Sequence, residues 1–185
     1  MRLFIAIDIT DNEEVIGIYK ELKKRLAAEK IRWVKPENMH LTLKFLGSTA
    51  PEKVDDIKKL MKKVCEGKHL SPLEFSRIGI FGSSYKPRVI WLGFKENKEI
   101  AALAQELKSG LVPLGWEYDR QNFVPHLTLG RVTKINSKKY FQSVLDDYKT
   151  LNIKPLEIEK ITLYQSILGK EGPVYKEIFE VSTGF

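Results

Sequence analysis

The tetrapeptide His-Leu-Thr-Leu occurs at His40–Leu43 and again at His126–Leu129, and two of the chain's three histidines open these copies. In a β-strand, residues i and i+2 share a face. Each copy therefore sets an imidazole beside a hydroxyl, with two leucines behind them. An imidazole titrates near pH 6.5, so one ring can hold a proton while its twin accepts one. In-line displacement at phosphorus needs a base beside the incoming oxygen and an acid beside the leaving oxygen, on opposite sides of the phosphate. His40 and His126 supply that pair if they face one cleft. Thr42 and Thr128 can then donate to the non-bridging oxygens and stabilise the developing charge. This scheme requires no metal and no other cofactor.

Competing chemistries find less support. A lone histidine on a strand is usually structural, but here the same tetrapeptide recurs at matching register in two halves. The third histidine, His69, has no repeat partner and reads as a surface residue at a helix end. Metal binding lacks a His-x-x-x-His spacing, a cysteine pair or a neighbouring acidic triad. Cys65 falls on a predicted helix away from both motifs, and no Walker loop is present.

The elements that must position the motifs repeat as well. An 86-residue shift carries His40 onto His126 and Arg2 onto Arg88, and lays Leu3–Ile7 over Val89–Gly93. Beyond the motif the shift becomes 83 residues, placing Leu73–Ile78 on Leu156–Ile161 and Phe81 on Tyr164. Each half reads strand, helix, loop, motif strand, helix, strand. Val15, Ile18, Tyr19, Leu22 and Leu26 recur at helical spacing, with Asp11 and Glu14 as a capping box. Val54, Ile57, Leu60 and Val64 do the same, with Thr49 and Glu52 as the box. In the second half the helical sets are Ile100, Leu103, Ala104 and Leu107, then Phe141, Val144, Leu145 and Tyr148. Val174–Val181 adds a last strand. The expected fold is α+β and bilobal. Two lobes related by a pseudo-two-fold axis, each with an antiparallel sheet and two helices, flank a central cleft. Residues 1–185 form a single domain of two repeats, about 1–86 and 87–185, and such a duplication leaves room for strand exchange.

Strand alternation puts His40, Thr42 and Lys44 on one face, with Leu41, Leu43 and Phe45 on the other. Lys44 could meet a phosphate or simply lie exposed. Alternation places Arg131 with the leucines, so it reaches the cleft only if Gly130 bends the strand. Phe81 and Tyr164 could stack on a terminal base, or pack in the core.

A composition of 43% hydrophobic and 30% charged residues suits a globular chain, and no apolar run is long enough to cross a bilayer. A single cysteine excludes an internal disulfide and fits a reducing, cytoplasmic compartment. The formal net charge of +7 favours a polyanionic partner, although Lys and Glu mixed along the helices equally suit solvated faces.

Arg32–Gly47, which contains Pro36-Glu37-Asn38-Met39-His40-Leu41-Thr42-Leu43, resembles the signature region of the 2H phosphoesterases. Together with Arg2–Ile7 and Pro125–Arg131, it is similar to the RNA 2′,3′-cyclic phosphodiesterase branch, also called 2′-5′ RNA ligase. Met39 stands where leucine is common. The resemblance covers essentially the whole chain. It implies metal-independent hydrolysis of RNA 2′,3′-cyclic phosphate ends to 2′-phosphomonoesters, and 2′-5′ RNA joining as the reverse chemistry. It implies His40 as proton donor, His126 as proton acceptor, and Thr42 and Thr128 as phosphate binders. The implied partner is RNA with a cyclic phosphate terminus, tRNA fragments included, with no membrane and no obligate protein partner. Near symmetry leaves the acid and base exchangeable from sequence alone. An RNA-end binding module without catalysis, and a phosphodiesterase of small cyclic-phosphate nucleotides, are the alternatives.

Overall fold

A computed structural model describes residues 1–118, 122–170 and 172–184. The chain runs β1 (Arg2–Asp8), α1 (Glu13–Arg25), β2 (Lys30–Trp33), β3 (His40–Ser48) and α2 (Val54–Cys65), then β4 (Phe75–Ser83). The second half follows as β5 (Lys86–Phe94), α3 (Lys98–Leu111), β6 (His126–Lys134), α4 (Lys138–Asp146), β7 (Lys160–Gly169) and β8 (Gly172–Ser182). The strand order is β4-β5-β6-β3-β1-β7-β8, with β2 also paired to β6. The two motif strands, β3 and β6, lie side by side at the centre and meet in a single pair, Leu41 against Leu127. That pair marks the pseudo-two-fold axis. All the strand pairings are antiparallel.

The halves do exchange strands. β7, from the second half, pairs with β1, while β4, from the first half, pairs with β5. Neither half of the sequence therefore completes its own lobe. The register also corrects the repeat alignment of the first strands. Phe4, Ala6 and Asp8 lie opposite Phe45, Thr42 and His40, just as Val89, Trp91 and Gly93 lie opposite Arg131, Thr128 and His126. The equivalence of β1 and β5 is thus an 85-residue shift, one less than the match of Arg2 to Arg88 suggested. Burial explains it: Ile5 and Ile7 then fall on Ile90 and Leu92, all at the core.

Leu41, Leu43, Leu127 and Leu129 turn into one apolar core with Ile5, Ile90 and helix residues such as Leu22, Ile57, Leu107 and Val144. Burying one such side chain stabilises by about 1.5–3 kcal/mol, so the leucines fix which way each motif strand faces. The opposite face carries a smaller cluster of Phe4, Ala6 and Tyr164, with Tyr175 against it.

Two helix caps differ from expectation. Asn12, not Asp11, caps α1, its side chain accepting from the Val15 N–H at 2.9 Å. No box forms at α2. Pro51 instead opens a 3₁₀ turn over Pro51–Lys53, and the Thr49 hydroxyl donates to the Gly47 carbonyl. Proline's fixed φ suits a first helical position and leaves no orphan N–H there to cap. Among the described residues, no helix is long and apolar enough to cross a membrane.

Candidate active site

The motif strands bulge at the same place in each half. Opposite β1, the register of β3 passes from Thr42 to Lys44 against consecutive residues, leaving Leu43 unpaired. Opposite β5, the register of β6 passes from Thr128 to Gly130, leaving Leu129 unpaired. A bulge inserts one residue and reverses the alternation beyond it. Phe45, expected with the leucines, is therefore 67% exposed on the cleft side, and its counterpart Arg131 is exposed there too. Arg131 gains the cleft through the bulge at Leu129, immediately before Gly130.

His40, Thr42, His126 and Thr128 line one cleft of about 1060 Å³. Each imidazole is held in the same way. His40 Nδ1 lies 2.8 Å from the Asn38 carbonyl, and His126 Nδ1 lies 2.8 Å from the Val124 carbonyl. A carbonyl only accepts, so Nδ1–H donates in both rings. The neutral tautomer is thereby fixed, and Nε2 is left as the atom that exchanges protons. The carbonyl sits two residues before the histidine in both halves, so this anchor is duplicated with the motif.

The surroundings of the two rings differ. His40 packs on Phe4, with ring centroids 4.8 Å apart, and meets Tyr175 edge-on at 5.2 Å. His126 meets Phe81 edge-on at 4.8 Å. Burial pushes the His40 imidazole below its ordinary value. The Asn38 hydrogen bond and the Asp8 carboxylate oppose that shift, and His126 adds to it. In the anion-free protein, an NMR titration of the imidazole ¹⁵N signals will therefore give His40 a midpoint below about 6.5, and added inorganic phosphate will raise it. A midpoint at or above that value would contradict the burial of the ring.

Of the other candidates, Lys44, Arg131 and Phe81 line the cleft. Tyr164 does not. It is buried, stacks on Phe4 with centroids 5.3 Å apart, and burial pushes its phenol up to about 12. It faces a second, smaller cavity of about 510 Å³ on the far side of His40. The repeat equivalence of Phe81 and Tyr164 holds in the pairing, since Val89 faces Phe81 as Phe4 faces Tyr164. Phe4 covers the tyrosine, whereas Val89 leaves the phenylalanine open. Cys65 is buried in the core, its thiol pushed up to about 12 by desolvation, and His69 is exposed.

Sequence reasoning missed Phe45, Tyr175 and Asp8. Tyr175 reaches His40 from β8, and Asn38 Nδ2 donates to the Pro173 carbonyl at 2.9 Å, which ties that strand to the loop holding His40. The cleft lining includes Arg32, Lys35, Lys44, Lys108 and Arg131, and no carboxylate among its described residues. Among the described residues, no group of three or more His, Cys, Asp or Glu gathers as a metal-ligand set would.

A family model described as LigT like Phosphoesterase matches residues 7–91 and again residues 92–175. An RNA 2′,3′-cyclic phosphodiesterase of Archaeoglobus fulgidus is 35% identical over 182 residues, which is 96% of this chain and 98% of the relative. One of Methanocaldococcus jannaschii is 36% identical over 97% of this chain and 99% of its own. A crystal structure from Thermus thermophilus superposes with a TM-score of 0.77 at 25% identity, covering 98% of this chain and 97% of that one. Escherichia coli LigT in its apo form shares the fold, with a TM-score of 0.70 at 24% identity, over 100% of this chain and 98% of its own.

Proposed function

This chain belongs to the LigT like Phosphoesterase family, and from that premise we propose that it hydrolyses RNA 2′,3′-cyclic phosphate ends to 2′-phosphomonoesters. His126 Nε2 takes a proton from water as the water oxygen attacks phosphorus. The bond from phosphorus to the 3′ oxygen breaks, and His40 Nε2 delivers its proton to that oxygen. Thr42 and Thr128 donate to the non-bridging oxygens, whose charge grows in the transition state. The residues that act are all side chains of this protein, and no metal enters the scheme. With an RNA 5′-hydroxyl in place of water, the same transfers leave a 2′-5′ linkage.

The observation that supports the reading most strongly is the matched pair of Nδ1 anchors in one cleft, each freeing an Nε2 beside a threonine. A lowered His40 value suits an acid, because burial makes the imidazolium readier to give up its proton. A phosphate anion seated between the rings restores the proton before the step.

The cationic lining favours an RNA oligomer over a mononucleotide, since each neutralised phosphate adds salt-sensitive affinity. Phe45 gives the cleft an exposed ring on which a base can stack. Phe45→Ala will raise KM for a cyclic-ended RNA by about 5–100-fold, the loss of one stacked base, with little change in kcat. An equal loss in kcat would show that the ring serves the chemistry instead. The function itself is tested by incubating the wild-type protein with such an RNA in EDTA and locating the product phosphate. A 2′-phosphomonoester is expected. Tight binding with an intact cyclic end would mark a binding module instead, and turnover of mononucleotides alone would mark a small-nucleotide enzyme.

A further inference from the structure

We propose that Asp8 is a positioning residue that holds the proton on His40, and so decides which of two near-symmetric histidines is the acid. Asp8 on β1 lies directly opposite His40 on β3, a pairing that brings Cβ atoms to about 5 Å. Asp8 Oδ1 accepts the Thr10 N–H at 2.9 Å, which fixes the carboxylate at the strand end. At the equivalent place in the other half, Gly93 lies opposite His126 and offers no side chain.

The difference is built into the packing. Two residues before Asp8 stands Ala6, and two before Gly93 stands Trp91. A Cβ at Gly93 would lie 2.7 Å from the Trp91 ring and 3.1 Å from Ser76 Oγ. The indole thus fills the space that a carboxylate would need beside His126. On the other side the small Ala6 leaves that space to Asp8.

The wider setting has the same polarity. Asp8, Asp11, Glu37 and Glu177 line the smaller cavity behind His40, with Tyr164 and Tyr175. On its other side His40 faces the main cleft, whose titratable lining includes His126, Arg131 and Lys44. Of the four carboxylates, Asp8 is the one paired with His40 across the sheet, and it opposes the burial that favours the neutral ring. The assignment deepens the hydrolytic reading and rests on it for its kinetic consequence, whereas the effect on the His40 proton is measurable without substrate.

Imidazole titrations of wild-type, Asp8→Asn and Asp8→Glu protein test it. Asparagine keeps an oxygen for Thr10 and removes only the charge. The His40 midpoint is expected to fall by about half a pKa unit or more in Asp8→Asn, a loss of about threefold in the protonated fraction. Glutamate is expected to restore it, with any change at His126 smaller than that at His40. With a cyclic-ended RNA, the limb of kcat/KM that titrates with His40 is expected to move down by the same interval in Asp8→Asn. An unmoved His40 midpoint, or an equal shift at His126, would overturn the proposal. So would a loss of activity in Asp8→Asn with no change in the pH profile. If the asparagine variant does not fold, Asp8→Ser retains the Thr10 acceptor and answers the same question. Wild-type protein that leaves the cyclic end intact would refute the hydrolytic reading, while the NMR comparison would still decide the role of Asp8.

Discussion

His40→Ala and His126→Ala will each lower kcat on a cyclic-ended RNA by about 10²–10⁴-fold, the usual contribution of one general acid or base. Neither change should unfold the protein. The two rings lie at the cleft surface, half-buried, and the leucines that anchor their strands stay in the core. The losses should not add in the double variant. Once either proton transfer is absent the other has little to assist, as is usual for groups acting as one unit. The two variants should also differ in pH dependence, each keeping only the limb set by the surviving histidine. Rapid-quench turnover across pH measures this. Full activity in both variants would remove the motif from the chemistry.

Thr42→Val and Thr128→Val will lower kcat by about 10²–10³-fold each, the range seen when one donor to a developing oxyanion is lost. Valine keeps the β-branched shape that suits a strand and deletes only the donor. Thr42 and Thr128 stand at equivalent register positions, opposite Ala6 and Trp91. The loss should appear in kcat more than in KM, because the charge on the non-bridging oxygens grows during the reaction. Single-turnover rates with saturating RNA would separate the two. A pure KM effect would make the threonines ground-state anion holders.

Much of this site was legible in the sequence because the motif is local. Period-two alternation correctly set His40 and His126 with their threonines against the buried leucines. It failed at Phe45, because a bulge is a property of the pairing between two strands and leaves no mark on the strand read alone. The bulge at Leu43 turns Phe45 outward, and its twin at Leu129 turns Arg131 into the cleft. Asp8 and Tyr175 were invisible for a related reason. They reach His40 from β1 and β8, more than 30 residues away in one case and more than 130 in the other. The duplication left room for strand exchange, but which strands cross is a property of the pairing: β7 joins β1 and β4 joins β5, so each lobe borrows a strand from the opposite repeat. The repeat register slipped by one because Arg2 and Arg88 match in identity, whereas buried Ile5 and Ile90 match in environment.

At the centre of the proposed mechanism, two motifs serve one phosphate. The most direct test is a crystal structure of the protein with inorganic phosphate, or with RNA bearing a 2′-phosphate end. It should place one phosphate between the two imidazoles, with His40 Nε2 and His126 Nε2 on opposite sides and both threonine hydroxyls within hydrogen-bond reach. A phosphate held by one histidine alone, or seated outside the cleft, would contradict it.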